Sequence, residues 1–266
     1  RRNRAMLTAI PLHTRVHLKF LARNRVFHAL VLLIVLGTAT GMVPGLVFFD
    51  PSSRFMTLRA LAQQLHGAVA ILTAGVGLLI LWSHRSSRSI KLVSTTPAPF
   101  PAWVASVFAT AALSGAAAQA VIAALVAVLS VYWNVPYQLG FLYLALDRFA
   151  DSMIMLAFLT PLGAWMHPLL AVVMLLFFTS LGSVRSMLEG ADPGLFMTAM
   201  KAAASALYYL VPTFDPFAGR TLVLRRSMRV SIVDWRYLGI TFSYAVLSLS
   251  FGYVATIAVL RRRPMI

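Results

Sequence analysis

Two uncharged runs, FHALVLLIVLGTATGMVPGLVFF (27–49) and ALAQQLHGAVAILTAGVGLLILW (60–82), stand on either side of DPSSRFMTLR (50–59). Each is about as long as the ~20 residues a helix needs to cross ~30 Å of hydrocarbon. The stretch between them is short and turn-rich, so the pair reads as a helical hairpin in a bilayer.

The rest of the chain extends that reading. Hydrophobic residues make up 60% of the sequence, charged residues only 11%, and mean hydropathy is +0.82, so water alone would not keep it dispersed. The expected class is an all-α polytopic membrane protein forming a single transmembrane domain over 1–266. No charge appears from Leu92 to Leu146, too long a run for one helix, and Asn134 with Pro136 divides it, leaving a third span at 102–130. A fourth span is expected at 139–162 and a fifth at 168–184, separated by PLGAWMHP (161–168). YLGITFSYAVLSLSFGYVATIAVL (237–260) makes the sixth.

The net charge of +16 sits mainly at the span ends. In a membrane protein such cations meet anionic lipid, and no nucleic-acid partner is expected. Arg1, Arg2, Arg4, Arg15, Lys19, Arg23 and Arg25 precede the first span, Arg85, Arg88 and Lys91 follow the second, and Arg261, Arg262 and Arg263 follow the sixth. Six spans put all three groups on one side, so both termini are expected to be cytoplasmic. RTLVLRRSMR (220–229) then lies outside, in a segment long enough to weaken the charge bias. A competing topology fuses 152–184 into one kinked span and exports Arg261 to Arg263, against that bias.

Residues 5–25 read as an interfacial helix, with Arg15, Lys19 and Arg23 recurring every fourth position and Pro11 starting or kinking it. The first apolar run is longer than a signal-peptide core and no A-x-A-like site follows it, so it is expected to remain as an anchor. A helix leading into the first span could act on that span as a lever.

The segment SHRSSRSIKLVSTTPAPFP (83–101) differs from the runs around it. Ser83 to Lys91 is polar and basic, Ile90, Leu92 and Val93 are apolar, and Pro97, Pro99 and Pro101 prevent helix and stiffen the exit. A loop needed only to reverse the chain would be shorter and softer. A stiff, half-apolar element suggests docking to a cytoplasmic partner.

Two stretches carry a resemblance to a known family. RSIKLVSTTPAPFPAWVASVF (88–108) is similar to the coupling element of type-two ATP-binding-cassette (ABC) exporter permeases, and ALYYLVPTFDPFAG (206–219) resembles their tyrosine-rich segment after the fifth span. The match is to the small six-span permeases associated with multicopper enzyme maturation. The sequence departs from them in lacking a carboxylate just before Arg88 and in placing Phe100-Pro101 after Pro99. The resemblance implies the transmembrane subunit of an exporter, forming its pathway as a dimer with a second copy or a paralogue. Separate ATPase subunits would carry ATP and Mg; no GxxxxGK[ST] occurs here, and the chain is expected to be no enzyme and to hold no cofactor or metal. It also implies that Arg85, Arg88, Ile90, Lys91, Leu92, Val93, Pro97 and Pro99 couple to the ATPase. The outer segment 185–236 would be partly reentrant, with Tyr208, Tyr209 and Pro212 at an outer gate.

Polar residues inside the spans are the remaining candidates. Asp147, Arg148 and Asp151 lie in the fourth run with both carboxylates on one helical face, as a self-compensated cluster or a substrate or proton site. Gln63, Gln64, His66 and Gln119 read as interhelical hydrogen-bonding groups, and SGAAAQA (114–120) as small residues that admit a close neighbour. His28 and His84 fall at inner span ends, His66 at the opposite end and His167 in a turn, so no histidine pair shares a depth suited to haem. Neither GxSxG nor HExxH occurs, which argues against an intramembrane hydrolase. The alternative function is a non-transporting membrane assembly or scaffold protein.

Overall fold

The computed structural model describes residues 2–47, 51–86, 100–135, 139–174, 198, 202 and 235–262. Among the described residues every regular element is an α-helix: α1 (Arg2–Leu21), α2 (Arg25–Val47), α3 (Pro51–Ser86), α4 (Phe100–Tyr132), α5 (Leu139–Trp165) and α6 (Trp235–Arg262), with residues 168–174 also helical. Among the described residues four helices are long and apolar enough to cross a membrane, at Arg25–Val43, Ser52–His84, Phe100–Tyr132 and Trp235–Arg262.

The boundaries follow local chemistry. α1 ends at Leu21, short of the expected 25, because Asn24 breaks the chain and caps α2: its Oδ1 accepts from the amides of Val26 and Phe27 at 2.9 and 3.1 Å. Helix also runs through Pro11, which neither begins nor ends it. The expected loop at 50–59 is mostly helix. Pro51 sits in the first turn of α3, where its missing N–H is not needed, and Leu58 and Leu61 are buried. Pro101 plays the same part in α4, which starts at Phe100, so the proline strut ends earlier than expected. The break after the third span falls where the sequence placed it. Asn134 takes φ 54°, and the Val135 amide reaches back to the Ser130 carbonyl at 2.8 Å, closing α4 with a left-handed cap. Arg54 adds a hydrogen bond to the Trp133 carbonyl at 3.3 Å. α5 continues through Pro161 to Trp165, and the chain bends at Met166 and His167, whose Nδ1 accepts from the Leu169 amide at 3.3 Å.

α5 is the centre of the bundle, packed against α3, α4 and α6. One apolar cluster, including Trp103, Ile154 and Leu156, fills one end, and a second, including Leu58, Trp133, Phe141 and Tyr143, fills the other. α2 packs on α3 and leaves much of its surface exposed, as a peripheral helix facing lipid would.

Ring and glycine contacts fix the helix directions. Phe55 meets Phe141 at 6.2 Å and Gly77 lies against Leu156, so α3 and α5 run parallel. Tyr143 meets Tyr237 at 6.2 Å, Phe149 meets Phe242 at 6.4 Å, and Gly252 lies on Ala157, so α5 and α6 are parallel too. α4 runs against α3, pairing Gly115 with Thr73 and Trp103 with His84. Tyr253 donates to the Pro101 carbonyl at 3.2 Å, bringing the last turns of α6 to the start of α4.

Of the expected fifth span, 168–184, residues 168–174 are helical and the rest lies outside the described residues; so does nearly all of the expected outer segment, 185–236.

Candidate functional site

α1 does not lie along the first span. It docks on the first turns of α4, beside the end of α3. Thr14, His17 and Leu21 are buried on one face, at the i, i+3, i+7 spacing of a helical stripe. The helix expected to bear on α2 thus packs against α4 instead.

A histidine node makes the joint. His17 Nε2 lies 3.1 Å from Ser106 Oγ, and the Ser106 hydroxyl donates to the Trp103 carbonyl at 2.6 Å. With that proton committed, Ser106 Oγ accepts, so His17 carries its proton on Nε2. His17 Nδ1 is then an acceptor for His84 Nε2 at 3.4 Å. The three rings of His17, His84 and Trp103 meet edge to face, with centroids 5.2 to 6.2 Å apart, and Phe100 stacks on Trp103 at 6.0 Å. Burial, with His84 and His13 nearby, pushes the His17 imidazole down to about 3, so it is held neutral at ordinary pH. Burial lowers His13 as well.

The node joins three helices at the roots of the 87–99 connection, since α3 leaves for that connection at Ser86 and α4 returns from it at Phe100. In the sequence His84 figures only among histidines whose depths do not suit haem, and His13 and His17 carry no role. Their i, i+4 spacing on the face shared with Thr14 and Leu21 was the available signal. Among the described residues no group of three His, Cys, Asp or Glu side chains could hold a metal ion.

The expected coupling residues are not described. Arg85 falls in the last turn of α3, and its side chain lies outside the described residues, as do Arg88, Ile90, Lys91, Leu92, Val93, Pro97 and Pro99. Tyr208, Tyr209 and Pro212 lie outside them as well.

The intramembrane cluster is described. Asp147 and Asp151 share the buried face of α5 at 0% and 2% exposure, and Arg148, one step round, reaches Asp151 at 3.1 Å. Across the bundle, His66 of α3 and Gln119 of α4 are both buried and doubly joined: His66 Nδ1 bonds the Gln119 side-chain oxygen, and Gln119 Nε2 donates to the His66 carbonyl at 3.1 Å. This is the interhelical bond expected of those residues. His66 of α3 and Asp147 to Asp151 of α5 both fall between the Phe55–Phe141 and Gly77–Leu156 contacts, in the middle stretch of the bundle. Within SGAAAQA, Gly115 and Gln119 pack inward while Ala116, Ala117 and Ala120 stay exposed. A Cβ on Gly115 would stand 2.5 Å from Thr73, so part of this stretch serves packing within the bundle.

No protein-family model matches the chain, and no curated protein matches it either.

Proposed function

We propose that this chain is the membrane-spanning permease subunit of an ABC exporter in a bacterial inner membrane, paired with a second permease and driven by a separate ATPase. The observation that carries the reading is the His17, His84, Trp103 and Ser106 node. It ties the interfacial helix to both helices that enter the 87–99 connection. A push on that connection would move the roots of α3 and α4 and the docked α1 together, which is what mechanical transmission from an ATPase requires. Ile90, Leu92 and Val93 would enter a groove on the ATPase and Arg85, Arg88 and Lys91 meet its acidic rim. Pro97 and Pro99 would stiffen the return to α4.

The parallel course of α5 and α6 supports six spans. Helices that run the same way start on the same side if both cross the bilayer, and a span at 168–184 between them would give that arrangement. The fused alternative would make α6 antiparallel to α5. Under six spans the node, the 87–99 connection and the C-terminal Arg261 and Arg262 face the cytoplasm. A reentrant outer segment bearing Tyr208, Tyr209 and Pro212 would cover the opposite mouth, and the Asp147, Arg148 and Asp151 group would lie nearer that mouth, along the pathway.

Purification of the tagged chain from its native membrane tests this reading. An ATPase subunit should co-purify in stoichiometric amount; a chain that purifies without one, from membranes shown to contain such ATPases, is an assembly or scaffold protein instead.

A further inference from the structure

The face of α1 opposite the node is unoccupied by the bundle. Leu12 is 64% exposed and Val16 51%, with Arg15 and Lys19 exposed beside them and Arg23 exposed just beyond the helix end. No Asp or Glu occurs before Asp50, so these cations have no counter-charge on α1 or α2. The chain also sets their depth. α1 ends at Leu21 and the first candidate span begins at Arg25, a step of no more than about 14 Å even when extended. The end of α1 therefore stands at headgroup level in the leaflet that α2 enters.

The geometry points to an anionic-lipid binding face on α1, in which Leu12 and Val16 enter the acyl boundary while Arg15, Lys19 and Arg23 hold the phosphate oxygens of acidic headgroups. Apolar side chains flanked by cations, at that depth, match the boundary of an anionic leaflet, which satisfies both at once. An acidic protein surface would answer the charges and leave Leu12 and Val16 without apolar cover. Because His17 grips α4 from the other face of the same helix, bound lipid also restrains the base of α4. The inference rests on the membrane placement of α2 and not on the transport reading.

The test uses the full chain, which has no cysteine of its own. Val16→Cys carrying an environment-sensitive fluorophore is titrated in detergent with short-chain phosphatidylglycerol, phosphatidylcholine or inorganic phosphate. The expected result is a blue shift with phosphatidylglycerol alone. Each cation near an acidic headgroup strengthens binding roughly fivefold, so Arg15→Gln with Lys19→Gln should raise the half-saturating concentration about thirtyfold. Arg15→Lys with Lys19→Arg should restore it. An equal response to phosphatidylcholine, a full response to inorganic phosphate, no response to phosphatidylglycerol, or no change in the Gln variant overturns the inference. So does a shift seen only on addition of a protein partner.

Discussion

Gly252 of α6 lies directly on the Ala157 backbone of α5: a Cβ at position 252 would stand 2.2 Å from the Ala157 carbonyl oxygen and 2.8 Å from its Cα. Around it the buried face of α6 is made of small residues, Thr241, Ala245, Ser248 and Thr256, so the two backbones approach closely along several turns. Backbone cannot step aside as a flexible side chain can. Gly252→Ala should force the helices apart and lower stability by about 1–3 kcal/mol, read as unfolding in mixed detergent. Gly239→Ala has nothing within 4 Å of its new Cβ and should be neutral or slightly stabilising.

Single cysteines test the helix directions. Cysteines at Arg23 and Arg262 should react with an impermeant reagent from the same side of the membrane, and one at Asn134 from the opposite side. If Arg262→Cys labels together with Asn134→Cys, α6 does not run parallel to α5 in the membrane.

Much of this architecture was legible as apolar runs bounded by breakers. Asn134 ended the third span where expected because a left-handed cap is a local property of the residue. The start of α3 was less legible: turn-forming residues at 50–53 resemble a loop, and only the burial of Leu58 and Leu61 against other helices makes the stretch pay its way as helix. α5, expected as the fourth span, is not among the four helices long and apolar enough to cross a membrane, since Asp147, Arg148 and Asp151 interrupt it, yet it packs against α3, α4 and α6 at the centre of the bundle. The node was least legible of all. Its partners, His17, His84 and Ser106, come from three separate helices, and no spacing along the chain reveals that they meet.

The node should respond to acid. Docked His17 has its pKa lowered to about 3, whereas an undocked imidazole titrates at the ordinary value of 6.5. A depressed folded-state value means that docking is at full strength above pH 6.5 and is lost progressively as pH falls toward 3. One unit below 6.5 should weaken docking roughly tenfold, about 1.4 kcal/mol. Hydrogen exchange of the α1 amides, corrected for intrinsic rates, should rise accordingly between pH 7.5 and 5.5. His17→Gln should flatten that dependence, with His13 and His84 leaving a residue of it.

The His66 and Gln119 pair should behave as a coupled unit. Gln119→Leu strands a buried ring nitrogen and should cost about 1 kcal/mol, a typical value for an interhelical hydrogen bond in a membrane. Adding His66→Leu should cost less than the sum of the single changes, because both stranded groups are then gone. Strict additivity in a double-mutant cycle would mean that the two side chains do not interact.

ATP hydrolysis by the co-reconstituted ATPase tests the permease reading most directly. Apolar anchors dominate docking interfaces and rim charges tune rate and salt response. Ile90→Asp with Leu92→Asp should therefore abolish stimulation of the ATPase while the permease stays folded and inserted, and Arg85→Ala should have a smaller, salt-sensitive effect. Full stimulation by the Ile90/Leu92 double variant would contradict the account and make 87–99 an ordinary connection.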